Sequence, residues 1–158
     1  MILNLLLGVA TIVLCLVLQI ALLTRALIYY ANHQSALEHA SYLRAMVILN
    51  GVMLLLMFGN LGQVALWALL FQFLGEFEQY RTAFYHSLVN FATLGYGDIV
   101  MSEQRRLLGA IQAMNGVLMV GISTAAFMTT LRDAVKHNSS AWTAKHGKGV
   151  RELVDRQD

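Results

Sequence analysis

The residues of this 158-residue chain best placed to do chemistry form one run, Thr93-Leu94-Gly95-Tyr96-Gly97-Asp98. The chemistry is that of the backbone. Consecutive carbonyl oxygens at matched spacing can replace the hydration shell of a cation, and rings of them from four chains can select one ion over another. A regular strand turns successive carbonyls to opposite sides, so such a run needs a different backbone. Gly95 and Gly97, at alternate positions, take positive φ without penalty and permit it. Thr93 adds a hydroxyl to its carbonyl at one end. Asp98 sets a carboxylate at the other, where it concentrates cations. The ring of Tyr96 is expected to point away from the carbonyls and brace the loop against neighbouring aromatics.

Four uncharged stretches surround and contain this run: residues 2–23, 45–75, 82–97 and 107–131, of 22, 31, 16 and 25 residues. A spanning helix needs about 20 apolar residues. The first, second and fourth qualify. The third is too short and ends in glycines, which suits a re-entrant segment that dips into the membrane and returns. Non-helical backbone at that depth is tolerated only where protein buries it or water lines it. Residues 82–92 hold no helix breaker and are expected to form a short helix. Its C-terminus carries partial negative charge, and aimed at a central cavity it would favour a cation there.

Composition agrees. Of the residues, 58% are hydrophobic and 13% charged, against about 25% charged in soluble domains; mean hydropathy is +0.59. The fold class expected is an all-α membrane protein with three transmembrane helices and a re-entrant segment. A net charge of +2 does not signal nucleic acid, because the charges lie outside the apolar runs and form no basic stripe. The single cysteine, Cys15, has no intrachain partner for a disulfide. No proline is present, so no helix is expected to break at one.

The organisation read from these features is an N-terminal helix at 1–30, a loop at 31–44, an outer helix at 45–75, a short helix at 82–92, the run at 93–98, an inner helix at 107–131 and a polar tail at 132–158. A secretory signal is the competing reading of the first stretch. No Lys or Arg precedes it and it is too long, so a retained helix is expected. Eight Lys and Arg residues fall in the tail and first loop, including Arg25 and Arg44, while Arg81, Arg105 and Arg106 lie between the second and third spans. The positive-inside rule then puts the C-terminus in the cytoplasm and the N-terminus outside. Asn138-Ser139-Ser140 and Gly147-Lys148-Gly149 read as flexible, and Trp142 as either a membrane-surface anchor or part of a disordered tail.

The 93–98 run resembles the K⁺ channel signature, whose usual form is Thr-Val-Gly-Tyr-Gly-Asp, and residues 45–131 resemble the two-helix pore module of bacterial K⁺ channels. The resemblance implies a homotetramer in the lipid bilayer of a bacterial inner membrane, with a selectivity filter on the fourfold axis and K⁺ held at Thr93, Leu94, Gly95 and Tyr96. K⁺ is then the permeant ligand and no cofactor is implied. Three departures stand out. Leu94 replaces valine. Val89 stands where some relatives carry a glutamate behind the filter. Tyr85 and His86 stand where relatives often carry tryptophans, and His86 is expected near Tyr96 as support for the filter wall. Residues 107–131 resemble the pore-lining helix, with Gly121, or else Gly116, as its hinge; close helix packing is the competing reading. Ser123 and Thr124 are candidates to line a cavity or to bond their own helix. Gln112, Asn50, Asn60 and Gln63 are expected to face protein and tie helices together.

Other chemistry is weakly supported. His33 and His39 with Glu38 fall short of a metal site. No nucleophile–base arrangement appears, so no enzyme is expected, and no lysine follows the glycines as a phosphate loop requires. Alternatives to a K⁺ channel are a non-selective cation channel and a non-conducting accessory subunit. A membrane enzyme or transporter would call for ionisable groups within the uncharged stretches. No arginine-rich helix suggests voltage sensing. His86 and His137 are the groups through which protons would act.

Overall fold

The computed structural model describes residues 2–34 and 42–154, and side chains at 2–33 and 43–136. Among these residues there are four helices: α1 (Ile2–Gln34), α2 (Tyr42–Phe73), α3 (Tyr80–Phe91) and α4 (Arg106–Val154). Three are long and apolar enough to cross a membrane, over Ile2–His33, Leu43–Phe73 and Arg106–Lys136. The 12 residues of α3 reach about 18 Å at 1.5 Å per residue, short of the ~30 Å hydrocarbon core.

The helix bounds differ from the sequence reading. Arg25 and residues 31–34 belong to α1, not to a loop, and α2 begins at Tyr42. The rest of the expected loop, with Glu38 and His39, lies outside the described residues. The largest correction is in α4, which continues past residue 131 through the expected tail to Val154. Helix propagation adds a hydrogen bond for each residue fixed, and no proline interrupts it. The side chains of His137 and Trp142 lie outside the described set.

α2 stops at a glycine cap. Gly75 takes φ +76°, its N–H reaches the Gln72 carbonyl at 2.9 Å, and Glu76 N–H reaches Phe71 at 3.1 Å. These are the paired bonds of a Schellman motif. Beyond it, Glu76 accepts bonds from the Ser102 backbone N–H and hydroxyl, both at 2.8 Å, and lies 3.5 Å from Arg105. The chain on either side of α3 is thereby clasped together.

α1 packs on α2 and α4. One apolar cluster joins Cys15, Trp67, Phe71, Leu108 and Met119, and a second joins Tyr30, Ile48, Val52 and Ala134. Between them runs a polar seam. Gln63 donates to Gln19 at 2.7 Å, Gln19 donates to Ser123 at 2.8 Å, and Asn60 donates to Ser123 at 3.3 Å. Unpaired amides are costly at membrane depth, which is why these meet. Asn50 does not join the seam; it donates to the Met46 carbonyl of its own helix.

Candidate functional site

The 93–98 run follows α3 directly, and the way α3 ends sets its backbone. Thr93 N–H bonds to the Asn90 carbonyl and Leu94 N–H to the Val89 carbonyl, both at 2.9 Å. This is the same cap that closes α2, with Thr93 in the place Gly75 holds there. Thr93 takes φ +58°, the only positive φ on a non-glycine among the described residues. A β-branched residue in that region is an outlier, at a cost of about 1–3 kcal/mol. Gly95 and Gly97 follow at φ +54° and +75°. The φ sign therefore reverses at every second residue from Thr93 to Gly97, at the alternate positions where the sequence set its glycines.

Residues 92–98 are all exposed in the single chain. Tyr96 is 66% exposed and Leu94 56%, and Tyr96 enters none of the ring contacts formed by the described residues. The expected aromatic brace is therefore not made within one chain.

Support comes from α3 instead. Tyr85 donates its hydroxyl to Asp98 at 2.8 Å, and bonding to that carboxylate raises the phenol above its usual titration range. His86 meets not Tyr96 but the Ile99 carbonyl, at 3.0 Å from Nδ1, with its ring between Phe71 and Phe77. A carbonyl only accepts, so Nδ1 carries the hydrogen. Nε2 is buried with no partner. Burial lowers the His86 pKa, opposed by the Ile99 carbonyl and by Asp98 and Glu76. The ring is accordingly neutral near pH 7. Val89 is buried and supplies its carbonyl.

Behind α3 lies a group of polar side chains of which the sequence reading singled out only Gln112, as facing protein. Gln112 and Ser87 are fully buried. Gln112 Nε2 donates to Ser87 Oγ at 2.5 Å and to the Ser87 carbonyl at 3.2 Å. Ser87 Oγ donates to the Val64 carbonyl at 2.7 Å. Asn90 Nδ2 donates to the Gly109 carbonyl at 2.8 Å and to Gln112 Oε1 at 3.3 Å. The signal present in sequence was an amide on the apolar α4 two turns before Met119; its partners are set by helix azimuth.

α4 shows two faces. Gln112, Asn115, Met119 and Ser123 face the other helices, whereas Met114, Val117, Leu118, Gly121 and Thr124 are exposed. Ser123, a candidate to line a cavity, is corrected to the α1–α2 seam. Thr124 is exposed and bonds the Val120 carbonyl of its own helix at 2.8 Å. Gly116 packs on α3: a Cβ there would lie 2.0 Å from the Phe91 carbonyl oxygen. Close approach, not bending, explains that glycine. Gly121 has open space around it. His33 turns Nδ1 to the Tyr29 carbonyl of its own helix.

Residues 60–133 match a family model described as "Ion channel". The match takes in the second half of α2, all of α3, the 93–98 run and the first part of α4, just under half of the chain. It indicates an ion channel, and together with three apolar helices an integral membrane protein. No curated protein matches, and no solved structure does.

Proposed function

We propose that four copies of this chain form a K⁺-selective channel whose filter is residues 93–98. The observation that carries the reading is the reversal of φ at Thr93, Gly95 and Gly97. Alternating backbone handedness is what brings successive carbonyls to one side, where four chains can replace the water around a K⁺ ion. The negative end of α3 points toward the start of this run and favours a cation there. The exposure of residues 92–98 and of one face of α4 supports a role for these surfaces in an assembly. Thr93 to Tyr96 hold dehydrated K⁺, Asp98 gathers cations at the mouth, Tyr85, His86 and Val89 support the filter, and Gly121 is the hinge.

Lys and Arg are concentrated at residues 132–156, which supports a cytoplasmic C-terminus and an outward-facing filter; the membrane we propose is a bacterial inner membrane. Four 17.5 kDa chains make an assembly of about 70 kDa; a detergent-corrected mass of a dimer contradicts it. For selectivity, the purified protein is placed in K⁺-loaded liposomes diluted into Na⁺ medium. The expected result is an inside-negative potential that Gly97→Ala abolishes. Equal passage of Na⁺ would assign a non-selective cation channel instead.

A further inference from the structure

We propose that Gln112, on α4, is the positioning residue that holds the filter in its selective geometry. The inference rests on the reading of 93–98 as the filter.

Thr93 is held in a strained conformation, and such strain persists only where the surroundings over-determine it. The bond that closes the turn at Thr93 runs to the Asn90 carbonyl. The Asn90 side chain is anchored on α4, at the Gly109 carbonyl and at Gln112. One turn earlier on α3, Ser87 takes the Gln112 amide and passes its own hydrogen to Val64 on α2. Donors and acceptors therefore run head to tail from Asn90 through Gln112 and Ser87 to Val64, and such chains reinforce one another in a medium of low dielectric. Gly116, one turn further along α4, seats against the Phe91 carbonyl. α4 thus grips the end of α3 at two points, and among the described residues Gln112 is the only side chain that bonds both Ser87 and Asn90. Val89, buried directly behind the run, brings no polar side chain of its own. The brace comes from the neighbouring helix instead.

Removing the amide need not unfold the chain. In Gln112→Met, Ser87 keeps the Val64 carbonyl and Asn90 keeps the Gly109 carbonyl, and apolar replacement of matched shape is tolerated where few buried groups are orphaned. What is lost is the amide that joins Ser87 and Asn90 at one point of α4, leaving the turn that fixes Thr93 held to α4 by the Gly109 bond and the Gly116 contact alone.

The test compares K⁺ and Na⁺ flux through the full-length wild type and Gln112→Met in liposomes, with the thermal melt of each assembly as control. The expected result is a fall of about tenfold in the K⁺ over Na⁺ ratio, the scale of one lost buried hydrogen bond, in an assembly that still melts cooperatively. Ser87→Ala, which cuts the same relay with a smaller change, is expected to lower the ratio as well, and Ser87→Thr, which keeps the hydroxyl, to retain it. A folded Gln112→Met with the wild-type ratio overturns the proposal. Should that variant fail to assemble, a wild-type ratio in Ser87→Ala overturns it equally. A wild type that passes Na⁺ as readily as K⁺ removes the filter reading itself, which separates the two failures.

Discussion

Gly116 lies so close to Phe91 that a Cβ on it would sit 2.0 Å from the Phe91 carbonyl oxygen. That contact and the Gln112 bonds join the first part of α4 to α3 as one body. Bending of α4 that spares α3 has to occur beyond residue 116, and Gly121 is the next glycine on the helix.

The two glycines should therefore respond differently to the same change. Gly116→Ala must push α3 aside and is expected to lose assembly or selectivity. Gly121→Ala meets open space within its own chain and gains up to about 1 kcal/mol in helix propensity; it is expected to keep α3 and α4 packed, with altered flux. Size-exclusion profiles and flux of both variants check this. Normal assembly and selectivity in Gly116→Ala would contradict it.

Thr93 predicts a trade between stability and function. Its left-handed backbone costs what a glycine there would not. Thr93→Gly is expected to leave the melting temperature no lower than wild type while reducing K⁺ over Na⁺ selectivity, because the filter loses its hydroxyl. A clear drop in melting temperature would show that Thr93 is not strained.

His86 sets a pH dependence. Burial lowers its folded-state pKa below the ordinary 6.5. As pH falls through 6.5, the unfolded chain takes up a proton before the folded chain does, so stability is lost below that point. Above it both states are neutral and the contribution is constant. The melting temperature of wild type should fall more than that of His86→Gln on acidification below pH 6.5. Parallel curves would sink this. Unchanged pH dependence of current in His86→Gln would separately exclude His86 as a proton gate.

Much of this was legible in the sequence. Charge-free lengths marked three crossings and one segment too short to cross, and the alternate glycines marked the unusual backbone. What was not legible follows from geometry between helices. Gln112 and Ser123 are both polar residues on one apolar helix, yet one meets α3 and the other α1 and α2; apolar periodicity is weak on a helix surrounded by lipid and protein, so azimuth was hidden. Thr93 in a left-handed cap runs against its local preference, and only the bonds to Asn90 and Val89 reveal it. The helical course of α4 to Val154 was hidden by polar and glycine-containing segments that tolerate either state.

The seam gives α1, which lies outside the matched family region, a measurable link to α4. Gln19→Leu and Ser123→Ala should couple in a double-mutant cycle, by about 0.6 kcal/mol as for other buried polar pairs in membranes. Strict additivity in unfolding measurements would show that the 2.8 Å bond contributes nothing.

The central claim, K⁺ selection at residues 93–98, is tested most directly by the reversal potential of single channels in a planar bilayer under opposed K⁺ and Na⁺ gradients. The account predicts a shift of about 59 mV for each tenfold K⁺ ratio, the limit for one monovalent ion. A reversal potential near zero, with Na⁺ carrying as much current as K⁺, would contradict it.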